Sequence, residues 1–340
     1  MGTFRIGLMG CGTVADYGHA PAIVATDGLT LHAVYDPVPA AAARFGAKFG
    51  APVATNDLEA FLSSGLDAVT ITSPAPCHEA NVLTAAAHGL PVLCEKPLAL
   101  DRAACDAMMA AMRQAGLSFY NAFCYRFSQS ALDIRELVRS GALGEVRVLR
   151  LIYNWNCHGK WTVGPDGERT LQARRAEGMI EGGPLIGCGP HQIDLASFWL
   201  GSPVVRFAAH GAWADEYEAP DHVWLHLDHA DGAHTVVEVS YSFGQTAQRP
   251  WHEFVYELIG TDGVLRYDRE RQRCFAETST GTRELEFHHE KSFEGLYVEW
   301  ANALRSGHSE LLTSAEDGAR VVEIARAAID AVIRGRRVAG

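Results

Sequence analysis

Three groups of residues in this 340-residue chain have types and spacings suited to chemistry. The first is Gly10-Cys11-Gly12-Thr13-Val14-Ala15, a complete G-x-G-x-x-A that follows the apolar run Phe4–Met9. Gly10 permits a tight strand-to-helix turn, Gly12 lets a pyrophosphate approach the backbone, and Ala15 lets helix and strand pack closely. A helix opening near Thr13 aims its free N–H groups at that pyrophosphate. A second apolar run ends in Asp36, where a carboxylate can accept hydrogen bonds from both hydroxyls of an adenosine ribose. Strand, turn, helix, strand and acid in this order predict a dinucleotide site; a structural turn with an incidental Asp is the alternative. Asp36 would repel a 2′-phosphate, and neither Arg nor Ser follows it directly, so the expected cofactor is NAD rather than NADP. Arg44, downstream on a helix, is the cation that could swing in.

The second group is Glu95-Lys96-Pro97, at the end of the short apolar run Pro91-Val92-Leu93-Cys94. An ionic pair followed by proline is an odd choice for a plain turn. Proline fixes its own φ and can set a cis bond, which would hold the Lys96 ammonium at a sheet edge. Beside a nicotinamide such a cation could hydrogen-bond a substrate hydroxyl and stabilise alkoxide character. A solvated surface lysine is the alternative. The third group centres on His191, at the first turn of a helix expected over Gln192 to Leu200 and preceded by Gly182-Gly183-Pro184. Unperturbed histidine titrates near neutrality, which suits the proton transfer that accompanies hydride transfer; a lone histidine can equally be structural.

Bulk properties bound what surrounds these groups. A chain of this length can build two domains, each with its own core. Hydrophobic residues make up 48% and charged residues 21% of the chain, ordinary for a globular enzyme. A formal net charge of −12, with no basic cluster, argues against a nucleic-acid surface. Eight cysteines are scattered without C-x-x-C spacing, which suggests neither a zinc ribbon nor a redox pair. No signal peptide is expected and no apolar run reaches about 18 residues, so the expectation is a cytoplasmic protein with free thiols and no membrane partner.

The first domain should be a doubly wound parallel sheet. Strands are read at Phe4–Met9, 31–36, Asp67–Thr72, 91–94 and 117–120, with a short element at 52–54. Asn56 is expected to cap the helix that starts at Asp57, His78 to open the helix from Glu79 to His88, and Asp101 to cap the helix that ends at Gln114. The 67–72 strand delivers Ser73-Pro74 to the carboxyl edge, where cofactors bind.

At this point the chain resembles the glucose–fructose oxidoreductase / inositol dehydrogenase / MocA family. The matching residues are Gly10 to Ala15, Asp36, Ser73-Pro74 with His78, Leu93-Cys94-Glu95-Lys96-Pro97-Leu98, Arg126, Gly182-Gly183-Pro184-Leu185-Ile186 leading to His191, Ile193-Asp194-Leu195, and the run from Asp317 to Val338. The resemblance covers nearly the whole chain. It implies an NAD-binding Rossmann domain, placed at 1–123, and an α+β domain at 124–340 with a large, mostly antiparallel open sheet. It implies that Gly10, Cys11, Gly12, Thr13, Val14, Asp36, Ser73, Pro74, His78, Glu95, Lys96 and Arg126 line the cofactor. Lys96 would sit beside the nicotinamide and the substrate hydroxyl, with His191 as acid/base. The open sheet would carry a homodimer or homotetramer contact.

The second domain holds the candidate substrate contacts. Ser128 should cap a helix that ends near Gly141, and 145–156 reads as a long strand. Asn154 and Asn156 could meet sugar hydroxyls and Trp155 or Trp161 could stack on a sugar face, unless the strand simply has one wet face and core tryptophans. The polar insert from His158 to Glu181, with Lys160, Arg174, Arg175 and Glu177, reads as a loop or hairpin over the site, or as a charged solvated excursion. The sequence departs from the family at Gly187, four residues before His191, where the usual pattern has Asp. Either Gly187 makes room for a bulkier substrate such as a glycoside, or Glu177 or Glu181 supplies the carboxylate, or NAD is bound without ordinary turnover. His158, Glu177, Glu181, Cys188 and His191 show no recognised metal-ligand spacing, and no metal is expected. Strands follow at 204–213, 222–229, 234–243 and 252–259. The period of two in His222-Val223-Trp224-Leu225-His226-Leu227-Asp228 puts three aliphatics on one face and His222, Trp224, His226 and Asp228 on the other. Tyr241 is read as mid-strand and as a further substrate contact. Two helices close the chain, the second with a Ser314/Asp317 capping box and Gly335 as its stop signal.

The expected function is oxidation of a ring secondary alcohol of a sugar, glycoside or cyclitol by NAD. The alternatives are a glycosidase- or epimerase-type enzyme that recycles a bound NAD, and a non-catalytic NAD-binding regulatory protein.

Overall fold

The computed structural model describes residues 2–157, 159, 161–243 and 251–339. The chain divides into two compact units, 1–127 with 291–322, and 128–290 with 323–340. The C-terminal part of the chain is thus shared: Lys291–Val322 returns to the first unit and Glu323–Gly340 to the second.

The first unit is built on strands β1 (Phe4–Met9), β2 (Leu29–Tyr35), β3 (Val53–Thr55), β4 (Ala68–Ile71), β5 (Val92–Glu95) and β6 (Phe119–Ala122). They lie in the order β6-β5-β4-β1-β2-β3, all parallel, and a short strand Thr313–Ser314 adds antiparallel to β6. Strand order reverses between β1 and β4, and such a switch point opens a crevice at the carboxyl edge where ligands bind. The strands are short and apolar because helices cover both faces: β4 and β5 are buried along their length. Met108, Met109 and Met112 of the helix Arg102–Gln114 and Val82 and Ala85 of the helix His78–Ala87 pack with them in one core.

In the second unit an eight-stranded sheet has the order β10-β11-β12-β7-β13-β14-β15-β16. Its strands are β7 (Val146–Asn154), β10 (Val204–Ala212), β11 (His222–His229), β12 (His234–Ser240), β13 (Glu253–Gly260), β14 (Gly263–Asp268), β15 (Arg273–Thr278) and β16 (Gly281–Leu285). Only β12 and β7 pair in parallel; the remaining pairs are antiparallel. The insert forms a separate hairpin, β8 (Trp161–Val163) with β9 (Arg169–Leu171), and then the helix Ala173–Glu181. Burial along β11 alternates strictly, with Val223, Leu225 and Leu227 inside. Register carries the pattern across: His222, Trp224, His226 and Asp228 stand opposite Ser240, Glu238, Val236 and His234, which in turn stand opposite Asn154, Ile152, Arg150 and Val148. The helix Gly189–Leu200 packs on the other, apolar face, where Trp199 meets Tyr256 edge to face.

Four local expectations are corrected. The cap of the helix Leu58–Leu62 is Asp57, not Asn56: its carboxylate accepts from the N–H groups of Glu59 (2.9 Å) and Ala60 (3.1 Å). A charged acceptor suits the positive end of a helix better than an amide. The helix Ala315–Ala339 runs through Gly335, because glycine ends a helix only by turning left-handed, as Gly50, Gly201 and Gly307 do and Gly335 does not. Tyr241 lies one residue past β12 rather than inside a strand. Strands β15 and β16 follow beyond those expected; β16, at the sheet edge, is charged and exposed along most of its length.

Replacing Asp57 with Ala should cost about 0.5–2 kcal/mol, the usual cost of a lost cap, whereas Asn56→Ala should leave urea midpoints near the wild-type value. The reverse order in equilibrium denaturation would refute the assignment of the cap.

Candidate functional site

At the end of β1 the chain turns with Gly10 at φ 104°. A Cβ there would stand 2.6 Å from the backbone nitrogen of Ser73, so the turns after β1 and β4 touch backbone to backbone. Thr72 Oγ1 locks the approach by donating to the Gly10 carbonyl at 2.7 Å. Gly12 is exposed, and a Cβ there would meet nothing within 4 Å, which leaves open backbone where a diphosphate would lie. Asp36 is half-buried just past β2. One carboxylate oxygen accepts from the Cys11 N–H and the other from the Val38 N–H, both at 2.9 Å. Each carboxylate oxygen can accept a second bond, which suits the two hydroxyls of a ribose. Burial and the Asp36 charge push the Cys11 thiol up to about 12, so it stays neutral beside that carboxylate. Arg44 is exposed on the following helix. These residues fit a dinucleotide whose ribose is unphosphorylated.

The neighbouring turns are held by buried side chains. The His78 ring, 1% exposed, lies between the Ser73 carbonyl (Nε2, 2.8 Å) and the carbonyls of Pro97 and Leu98 (Nδ1, 3.1 Å to each). Burial lowers its pKa, only partly opposed by those carbonyls. It ties the turn after β4 to the turn after β5. Asn81 Nδ2 donates to Ser73 Oγ at 2.8 Å. The Lys96–Pro97 bond is cis. Arg126 sits buried in a turn at Cys124–Phe127 and donates to the Leu311 carbonyl at 3.2 Å.

Glu95 is the residue whose environment the sequence does not disclose. It is 6% exposed; Oε1 accepts from His19 Nε2 and Oε2 from the Lys96 N–H, each at 2.8 Å. His19 is fully buried, and its Nδ1 lies 2.8 Å from the Tyr297 hydroxyl, which donates to Thr70 Oγ1 at 3.1 Å. Asn121 Nδ2 donates to the carbonyls of Cys94 and Glu95 at 2.7 and 3.2 Å. Burial raises the Glu95 pKa, but the His19 hydrogen bond, with Lys96 close by, outweighs it and holds the carboxyl below its ordinary 4.5. None of His19, Thr70, Asn121 and Tyr297 stands in a motif, and Tyr297 is 202 residues from Glu95 in sequence. The one local signal is His19 on the helix that follows the glycine turn.

In the second unit His191 is buried in the first turn of the helix Gly189–Leu200, its N–H donating to the Cys188 carbonyl at 3.2 Å. The short helix Pro184–Gly187 precedes it. A side chain at Gly187 would overlap the Tyr241 hydroxyl. The room expected there for a bulky substrate is therefore occupied by Tyr241 itself, which is 5% exposed and accepts from Cys188 Sγ at 3.7 Å. Burial, with Cys188 and Cys157 alongside, pushes the Tyr241 phenol well above its ordinary range, so it remains a neutral hydroxyl. Asn154 belongs to the opposite sheet face from the His191 helix; its Nδ2 donates to Glu238 Oε1 at 3.0 Å. Asn156 is half-buried beyond β7, and Trp161 is 39% exposed on the hairpin. Glu177 and Glu181 are exposed. Arg175 is buried instead, donating to Asp215 (3.0 Å), Asp221 (3.1 Å) and the Tyr241 carbonyl, so the insert's helix is anchored by an ionic cluster. His158 and Lys160 lie outside the described residues. Among the described residues no group of three or more His, Cys, Asp or Glu is arranged to hold a metal ion, and no helix is long and apolar enough to cross a membrane.

Comparison with known proteins identifies the family. Residues 4–123 match the family model described as oxidoreductase family, NAD-binding Rossmann fold, and residues 131–266 match the GFO/IDH/MocA C-terminal domain. The chain belongs to this family of NAD-binding oxidoreductases. It is 32% identical over 203 residues to D-glucoside 3-dehydrogenase of Escherichia coli K12, a match that spans 59% of this chain and 55% of that enzyme. It is 25% identical over 351 residues to D-apiose dehydrogenase of Rhizobium rhizogenes K84, covering 97% of this chain and 96% of the other. The structure of levoglucosan dehydrogenase with NADH and levoglucosan superposes with a TM-score of 0.82 at 21% identity over 98% of both chains, a likeness of fold.

Two measurements follow from the site. Gly187→Ala should destabilise by about 1–3 kcal/mol through overpacking, and much less in a Tyr241→Phe background; additive losses in that double-mutant cycle would show the two do not touch. Because Glu95 has a depressed folded pKa, its stabilisation is present above the ordinary 4.5 and is lost as pH falls through the folded value. The stability gap between wild type and Glu95→Gln, followed by urea denaturation, should therefore narrow below about pH 4.5; a gap that is constant or widens in acid would contradict an ionised Glu95.

Proposed function

We propose that this protein is an NAD-dependent dehydrogenase that oxidises a ring secondary alcohol of a sugar, glycoside or cyclitol to a ketone. The observation that carries the proposal is Lys96, a half-buried lysine at the carboxyl edge of a dinucleotide-binding sheet, with its backbone fixed by buried polar groups. The named activities of the D-glucoside and D-apiose dehydrogenases support the substrate class.

NAD, when bound, supplies the two-electron acceptor for the carbinol hydrogen. Lys96 donates a hydrogen bond to the reacting oxygen and stabilises the charge that grows there as the C–H bond breaks. His191 takes the hydroxyl proton and returns it in the reverse direction. Asp36 accepts from the adenosine ribose and repels a 2′-phosphate, so NAD is preferred over NADP. Tyr241, a neutral hydroxyl, fills the space that a side chain at Gly187 would need, and the proton transfer is assigned to His191. We propose also that the open face of the eight-stranded sheet, with Trp224 and Glu238, carries self-association into a dimer or tetramer; a monomer in sedimentation equilibrium would exclude this.

The test is absorbance at the nicotinamide band with NAD, and separately NADP, against aldoses, inositols and alkyl glucosides. Reduction of NAD by one substrate class is expected, with a loss of about 100-fold or more for Lys96→Met, comparable to removal of one oxyanion donor, and a fall of kcat/KM toward acid pH that disappears in His191→Ala. NAD binding with no net reduction, but with altered glycoside products, would replace this reading with transient oxidation by a retained cofactor. NAD binding with no turnover of any kind would leave a regulatory protein.

A further inference from the structure

Lys96 is held with unusual completeness for a residue in a turn. Its own N–H donates to Glu95 Oε2 at 2.8 Å. The two carbonyls before it accept from Asn121 Nδ2, and the two after it face His78 Nδ1. Asn121 is fully buried and His78 nearly so. Glu95 is the least expected member, since a buried carboxylate is costly unless paired and hydrogen-bonded. Each of its oxygens accepts a bond: one from the Lys96 backbone and the other from His19 Nε2. An ionised carboxylate only accepts, so His19 must donate from Nε2. Its Nδ1 lies 2.8 Å from the Tyr297 hydroxyl oxygen. The Phe293 ring packs edge to face on His19 at 4.9 Å between centroids.

We propose that His19 and Glu95 form a positioning pair for Lys96, with Tyr297 and Thr70 orienting His19. The pair acts on the lysine through the backbone of its turn. It sets where the Lys96 Cα lies, and through it where the ammonium can reach, so that the lysine meets the reacting oxygen without a search over turn conformations. Displacing a catalytic group by about 1 Å can cost about 100-fold in rate, which gives a buried, hydrogen-bonded carboxylate a use that stability alone does not. The proposal rests on the role given to Lys96 above.

The test uses the full-length protein with Glu95→Gln, Glu95→Leu, His19→Gln, His19→Leu and the control Lys96→Met. Three quantities are read: hydrogen exchange at the Lys96 amide, NAD affinity by calorimetry, and kcat per NAD-binding site with myo-inositol and methyl glucoside as probes. The leucine variants should lose protection at the Lys96 amide and about 10- to 100-fold in kcat per NAD-binding site, a loss larger than any change in NAD affinity or KM. Glu95→Gln keeps an acceptor for the Lys96 N–H and should lose less than Glu95→Leu. The double leucine variant should fall no further than the worse single one, because both act through the same atom. Where the leucine variants fail to fold, the near-isosteric glutamine variants decide. Unchanged amide protection and unchanged kcat per site in the Glu95 and His19 variants, with Lys96→Met inactive, would overturn the positioning pair alone. Full activity of Lys96→Met would overturn the lysine's role and the pair together.

Discussion

Glu95 is a carboxylate taken almost wholly out of water at the end of β5, and much of the first unit's carboxyl edge is arranged around what that carboxylate requires. Removing an ion from water is tolerated only where opposite charge and hydrogen-bond donors replace the lost hydration. Here the donors are a histidine from the first helix and the backbone of the very next residue. The second nitrogen of the histidine lies 2.8 Å from the hydroxyl of Tyr297, on a helix near the C-terminus. Through that helix, part of Lys291–Val322, the C-terminal region contributes to the surroundings of Glu95 in the first unit.

The glycine turn and the Lys96 turn are joined through intermediate side chains. Thr72 closes the approach of Gly10 to the end of β4, and His78 joins the end of β4 to the turn after β5. Three adjacent strands thus present their loops as one rigid edge. Binding and catalytic groups commonly sit on loops positioned by a rigid scaffold; here the rigidity comes from buried polar groups that bridge the loops.

The second unit reaches order by a different route. Its sheet alternates apolar and mixed residues, and the His191 helix lies on the apolar side. Around Gly187 the governing constraint is volume: Tyr241 fills the space that a side chain at 187 would need. Tyr241 is itself set by Arg175, whose guanidinium spans Asp215, Asp221 and the Tyr241 carbonyl. A helix of the insert therefore fixes the residue that stands against the short helix before His191.

Much of the architecture was legible in the residues. The glycine turn, Asp36, the short apolar strands, the capping box at Ser314 and the period of two in β11 rest on interactions between near neighbours in sequence, or on burial patterns that each strand carries alone. Asn56 and Gly335 were misread because capping depends on which of two adjacent acceptors reaches the free N–H groups, and on whether a glycine turns left-handed. The opposite facing of Asn154, the burial of Arg175, the occupant of the space at Gly187 and the pairing of Glu95 with His19 could not be read at all. By itself the sequence determined the class of site, a dinucleotide cradle with a lysine at the sheet edge, because those motifs are local and their chemistry follows from residue type. Only the tertiary structure decided what holds that lysine and what fills Gly187, because these depend on contacts between residues tens to hundreds of positions apart, brought together by strand order and register.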